Sequence, residues 1–182
     1  MSSFSLIEKF RNKIRISSDS NIELGKNLKI VGSHITIKGT NNSLIIEDSS
    51  IIRNSSLEIV GENCKIHIKS GCMIGDNSYL VVKESNVNLI LGKECGLSRN
   101  VKIMTSDGHP IYQKGKRINP AKDVVLEDNV WVADNVTILK GVHIGANSVL
   151  GIDSVITKSV PKNSIAAGNP AKVVKENITW KP

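Results

Sequence analysis

The sequence predicts an all-β protein, a parallel β-helix of six-residue repeats, and three observations carry that expectation. From Val124 onward the chain divides into sixes: VVLEDN, VWVADN, VTILKG, VHIGAN, SVLGID and SVITKS. The third place of each is aliphatic (Leu126, Val132, Ile138, Ile144, Leu150 and Ile156), and the first places, Val124, Val130, Val136, Val142, Ser148 and Ser154, are aliphatic or small. Aromatic residues make up only 3% of the chain, so a core must come from Ile, Val and Leu, which suit strands. A period of six fits neither the 3.6-residue helix nor a long two-residue alternation. Short strands joined by tight corners produce it, three strands to a triangular coil. Coils stacked about 4.8 Å apart turn each recurring position into a continuous column. The Gly, Asp and Asn residues fall where the chain must turn.

The elements follow in order. Residues 3–12, SFSLIEKFRN, suit a short amphipathic helix covering the first coil, because solenoid ends need caps. Residues 1–20 are therefore assigned as a helical cap. Residues 21–160 form the β-helix. Its N-terminal half holds inward-outward-inward pairs such as Ile35/Ile37, Leu44/Ile46, Ile66/Ile68 and Leu89/Leu91, spaced by six to nine or so, which predicts wider and less regular coils. Segment 107–123 breaks the repeat and must project from a corner. Residues 161–182 lose the period and are expected to leave the helix as an irregular tail.

The chain has 182 residues, enough for one domain with its own core. The N-terminus lacks the apolar run of a signal peptide, and no stretch approaches the roughly 18 apolar residues of a membrane span. The expectation is a soluble cytoplasmic protein without membrane insertion. Cys64, Cys72 and Cys95 show no C-x-x-C spacing and read as buried or half-buried thiols. The net charge is +7, but no aromatics interleave the basic residues, so no nucleic-acid partner is expected. A small phosphate-bearing ligand or an acidic glycan suits the charge as well.

The loop reads TSDGHPIYQKGKRINPAKD from Thr105 to Asp123 and carries His109, one of four histidines. Long loops on rigid scaffolds commonly hold function. The other three, His34, His67 and His143, adjoin inward aliphatics, so alternation points them outward as solvated residues. They lack the convergent spacing of a three-histidine zinc site, and no metal is expected. Trp131 lies between inward Val130 and Val132 and should point out.

These residues resemble the bacterial hexapeptide-repeat acyltransferases. The stretch GVHIGANSVLGIDSVITKSVPKNSIAAGNPAKVVKE is similar to that family's common ending. The set TSDGHPIY, GKRINPAKDV, VWVADNVTILKGV and ITW resembles the branch that O-acetylates capsular and O-antigen sugars. The match covers roughly residues 95–180. The resemblance implies a left-handed β-helix, a homotrimer with active sites between subunits, acetyl-coenzyme A as donor, and a sugar or glycan acceptor. It places His109 as general base and Trp131 beside it. It places the pantetheine arm along Gly151, Ile152, Thr157 and neighbours, near Ala133, with Lys158 and Lys172 toward the coenzyme phosphates. The alternative for either lysine is a solvated corner residue. Ile152 and Asp153 stand where the family has a small residue and Gly, and Ala133 where it often has Gly.

The chemistry suits those residue types. A sugar hydroxyl is a weak nucleophile near pH 7, and histidine, with a reference pKa of about 6.5, is mostly neutral and able to take its proton. The thioester is already activated, so no acyl-enzyme is required; donor and acceptor need only be held close and in line. Asp107 either accepts from the imidazole, fixing its tautomer, or makes a turn in S-D-G-H. Tyr112, Lys116 and Arg117 are the loop residues assigned to the acceptor, an anionic sugar such as sialic acid or a neutral hexose. An amino sugar, serine or an antibiotic as acceptor, and a β-helix scaffold without activity, are the alternatives.

Overall fold

The computed structural model describes residues 4–181, and among them the expected architecture is present. Short parallel strands form three faces: a seven-stranded sheet, a six-stranded sheet and an eight-stranded sheet. The chain visits them in rotation, as in Ile51–Arg53 on the third face, Ser56–Val60 on the first and Lys65–Ile68 on the second. The hexapeptide phase read from the sequence is the phase of this rotation. Leu126, Val132 and Ile138 sit on the second, third and first faces, and Ile144, Leu150 and Ile156 sit directly above them.

Register turns the repeat into a core. On the first face Ile35, Leu57, Leu80, Ile103, Ile138 and Ile156 stack in one column, and all are at most 2% exposed. On the third face Ile30, Ile52, Ile74, Leu97, Val132 and Leu150 form a second buried column. Ser148 and Ser154, at the first place of their sixes, are wholly buried at corners. Cys64, Cys72 and Cys95 are also buried corner residues, and each thiol donates to a backbone carbonyl of the coil above.

Corners explain the Asn content. Asn129, Asn135, Asn147 and Asn163 all take positive φ, between 54° and 61°, where Asn is among the few side chains that sit readily. Their side chains also link coils: Asn129 Nδ2 donates to Asn147 Oδ1 at 2.9 Å, and Asn147 Nδ2 to Asn163 Oδ1 at 3.1 Å.

Coil length varies as expected. Bonds between neighbouring coils join residues 18 apart, three hexapeptides, just beyond the loop, 16 apart at the last coil, and 22 or 23 apart in the N-terminal half. Across the loop the separation is 35, and the excess over 18 (35 − 18 = 17) equals the length of segment 107–123. The loop is thus a clean excursion; the coil above it resumes in register.

Both ends differ from expectation. Lys13–Ile16 already pairs with His34–Ile37, so the solenoid begins at Lys13 rather than 21. The helix is Leu6–Arg11, with a capping box between Ser5 and Glu8. It does not cover the coil with its apolar residues: Phe4, ahead of it, is buried, while Leu6, Ile7 and Phe10 are exposed. At the other end Val160 bridges Ile144, and Ser164–Gly168 pairs with Val149–Leu150, so the coils continue to Gly168. Ala171–Glu176 then folds back antiparallel on the same sheet. Loss of the six-residue period thus did not mean departure from the sheet, because an antiparallel return satisfies the same edge. No described helix is long and apolar enough to cross a membrane.

The stacked columns make one prediction. Ile138→Ala removes a wholly buried side chain between Ile103 and Ile156. It should cost about 2–5 kcal/mol in urea unfolding, whereas Thr137→Ala, on the outer side of the same strand, should shift the midpoint far less.

Candidate active site

The loop leaves the first face after Lys102–Met104 and returns on the second at Val124–Leu126, so it projects from the corner between those faces. Its neck is pinched. Thr105 is buried, its Oγ1 accepts from Lys83 N at 3.1 Å, and its carbonyl accepts from Lys122 N at 2.9 Å. Beyond the neck, Tyr112–Gln113 and Lys116–Arg117 form a small antiparallel hairpin. Its turn is Lys114–Gly115, with φ of 50° and 76°. Two successive positive φ values are the geometry that a tight hairpin turn requires.

Inside the loop one side chain does most of the fastening. Asn119 is buried. Its Oδ1 accepts from Ile111 N at 2.6 Å, and its Nδ2 donates to the His109 carbonyl and to Asp107 Oδ2, each at 2.8 Å. Lys140, in the coil above, donates Nζ to Asp107 Oδ2 and, at 3.0 Å, to the Asn119 carbonyl. Glu84, in the coil below, accepts at Oε1 from Ser106 Oγ at 2.6 Å and from Arg117 Nη2 at 2.7 Å. Lys140 first, then Asn119, hold the Asp107 carboxyl below the usual range. Arg117 does the same to Glu84.

His109 is exposed, and among the described residues its ring makes no hydrogen bond or ion pair. The expected bond from its imidazole to Asp107 is not formed in this chain. Asp107 Oδ2 is shared instead by the Lys140 ammonium, a charge-assisted donor, and the Asn119 amide. Nor does Asp107 accept from the His109 amide two residues on, as an Asx turn requires; the local turn bond runs from Gly108 N to Ser106 Oγ at 3.0 Å. Of the loop residues assigned to an acceptor, Tyr112 and Lys116 are exposed on the hairpin, while Arg117 is half-buried and bonded to Glu84.

Trp131 points outward as expected, but from the third face, away from the corner that carries the loop. Its Nε1 donates to Ser98 Oγ at 3.3 Å, and its ring lies 5.8 Å from that of Trp180 at 41°. Trp180 donates in turn to the Asn129 carbonyl at 3.0 Å, which fastens the tail to this face. No hydrogen bond, ion pair or ring contact joins the loop to Trp131 among the described residues, so a single chain does not bring His109 and Trp131 together.

The other histidines need one correction. His34 is exposed, but His67 and His143, outward as expected, are tied to carboxylates rather than simply solvated. His67 Nε2 lies 2.7 Å from Glu47 Oε1 and His143 Nε2 lies 2.8 Å from Glu127 Oε1. The device repeats: in each case the second carboxylate oxygen accepts a backbone N–H three residues beyond the histidine, from Ser70 or Ala146. The described residues hold no cluster of three or more His, Cys, Asp or Glu able to bind a metal.

Residues 123–158 match the family model for the bacterial transferase hexapeptide (six repeats). The chain is 38% identical over 169 residues to a polysialic acid O-acetyltransferase of Neisseria meningitidis, covering 91% of this chain and 77% of that protein. It is 36% identical to the Escherichia coli O1:K1 polysialic acid O-acetyltransferase over 87% of its length, which spans only 44% of that longer protein. Among solved structures, the polysialic-acid-specific acetyltransferase NeuO superposes with a TM-score of 0.71 at 33% identity, covering 95% of this chain and 90% of that one.

The chain belongs to the hexapeptide-repeat acetyltransferases. Its fold is their left-handed parallel β-helix.

Within this acetyltransferase the residues assigned to the donor fall in three places. Ala133, Gly151 and Ile152 follow third-face strands at one corner, in successive coils. Their coils are tightly joined there: Ala133 N donates to the Leu150 carbonyl and Gly151 N to the Ala166 carbonyl. Gly151 has a packing reason to be glycine, since a Cβ would meet Ala167 Cβ at 2.9 Å. Ile152 is exposed, and Asp153 takes a φ of 57° and accepts from Asn135 at 2.8 Å. Thr157 and Lys158 are exposed at the next corner, the one that carries the loop, a coil above Lys140. Lys172 is exposed on the terminal antiparallel strand.

Asn119, Lys140, Glu84 and Trp180 were not singled out by sequence. Three of them lay inside motifs quoted for the resemblance (Asn119 in GKRINPAKDV, Lys140 in VWVADNVTILKGV, Trp180 in ITW), and both His109 and Asn119 precede a proline.

The carboxylates set the acid limb of stability. Glu84, Asp107, Glu127 and Asp134 all have lowered pKa values, from Arg117, from Lys140, from the Ala146 amide and from Arg99 respectively. A lowered folded pKa stabilises above the unfolded value, about 4, and that contribution is lost as pH falls through the folded value. Melting temperature should therefore drop steeply below about pH 4, and Glu127→Gln should flatten that limb while lowering the plateau at pH 7.

Proposed function

We propose that this acetyltransferase moves an acetyl group from acetyl-coenzyme A to a hydroxyl of an anionic, sialic-acid-containing polysaccharide, with His109 as general base. The observation that carries the reading is the loop: it holds a single exposed histidine away from a rigid prism on a clamped backbone. The two polysialic acid O-acetyltransferases support the acceptor class.

In the reaction the acceptor oxygen attacks the thioester carbonyl while His109 takes its proton. The C–S bond then breaks, and the protonated imidazole returns the proton to the departing thiolate. Lys158, beside the loop corner, and Lys172 serve the coenzyme phosphates; Ala133, Gly151, Ile152 and Thr157 line the pantetheine path. Tyr112 and Lys116 face the acceptor. Trp131 walls the site of a neighbouring subunit: its separation from His109 within one chain favours a homotrimer with each site shared between two copies.

Two measurements test this. In a thiol-release assay with acetyl-coenzyme A and polysialic acid, His109→Ala should lower kcat by about 10²–10⁴-fold; near-normal activity removes His109 from the base role. Light scattering should give three times the chain mass, and a monomer with full activity contradicts the shared site.

A further inference from the structure

We propose that Asn119 and Lys140 are positioning residues for His109, acting through the backbone of the loop rather than on the imidazole. The inference rests on the reading of His109 as base and adds what holds it in place. Asn119 grips the loop at three points, the Ile111 amide, the His109 carbonyl and the Asp107 carboxylate. Two of these flank the His109–Pro110 link from either side. Lys140 fastens this cluster to the prism, and its side chain is only 16% exposed.

The chain prepares both partners for the clamp. His109 and Asn119 each precede a proline, which disfavours the helical region and confines the residue to extended backbone. Less freedom is then lost when the carbonyl of one meets the amide of the other. The Asn119 amide uses its acceptor and both donor directions inside the loop, so aspartate, its near isostere, cannot replace it. Asp107 is in this arrangement a link between Asn119 and Lys140, and the ring of His109 is left free for substrate.

A reacting group moved by about 1 Å loses on the order of a hundredfold in rate, and that is the size of effect expected. Five variants are measured together: Asn119→Ala, Asn119→Asp, Lys140→Met, Lys140→Arg and His109→Ala. Asn119→Ala should lower kcat by about a hundredfold, with the KM for acetyl-coenzyme A, the melting temperature and the position of the inflection in the pH–rate profile all unchanged. Asn119→Asp should do no better, since it keeps the acceptor for Ile111 but loses both donors and sets a second carboxylate beside Asp107. Lys140→Met should lower kcat, and Lys140→Arg should restore part of it. Trypsin should nick the folded Asn119→Ala protein after Lys114 or Lys116 faster than the parent.

The outcomes separate. An inactive His109→Ala beside normal kcat in both Asn119 variants overturns the positioning role and leaves the base intact. An active His109→Ala overturns the base itself. A lower melting temperature with raised KM in Asn119→Ala marks Asn119 as a general structural residue, and a shifted inflection shows that it acts on the ring; either overturns the proposal.

Discussion

The structure depends on coil register. Each coil must bring every inward residue under its equivalent in the next, because the backbone amides of one coil find their acceptors in its neighbour. Amides such as those of Trp131, Thr137 and Gly145 donate to Ser148, Ser154 and Val160 in this way. A residue added within a strand would flip the following side chains from core to solvent. Extra residues enter either as strands lengthened in step on neighbouring coils, such as His34–Lys38 and Ser56–Val60 in the N-terminal half, or as one large excursion after Lys102–Met104. Left-handed corner residues, mostly Asn, set the turns that make this possible.

A corner insertion has no ladder of its own, so its rigidity must come from elsewhere. Here it comes from the coils on either side. Glu84 reaches up from below to hold Ser106 and Arg117, and Lys140 reaches down from above to hold Asp107 and Asn119. Glu84 itself takes a φ of 78°, uncommon for a non-glycine residue, and that conformation sits at the loop's point of support. The excursion is thereby a fixed arm, which suits the base role proposed for His109.

The six-residue pattern made the fold legible because the spacing of inward residues is a direct copy of the rotation between faces. Leu126 through Ile156 fell on the predicted columns for that reason. The loop's boundaries were legible as a break in the same pattern. The ends were not, since strands such as Lys13–Ile16 and Ser164–Gly168 belong to the prism through pairing rather than period. The clamp was hidden for a related reason. Lys140 lies 33 residues from Asp107, and only the return of the loop into register brings them together. In sequence Lys140 is one more outward cation of a hexapeptide, and Asp107, two residues from a histidine, invites the pairing that the lysine pre-empts. Trp131 was correctly placed outside, but its contact with Trp180 depends on the tail folding back along the third face.

The clamp also sets the electrostatic character of the arm. The segment from Thr105 to Asp123 holds two acids, Asp107 and Asp123, against Lys114, Lys116, Arg117 and Lys122. Asp107 is paired with Lys140, while Asp123 keeps its charge and accepts from the Asn88 amide at 2.7 Å. Glu84 is occupied in the same way by Arg117. Lys114 and Lys116 stand exposed at the tip, with no ion-pair partner among the described residues. The loop therefore carries two acids against four bases, and a polyanion's attraction to the cations at its tip is felt within about a Debye length, roughly 8 Å at physiological salt. A neutral acceptor would gain nothing from the exposed cations Lys114 and Lys116, whereas the anionic acceptor proposed above would.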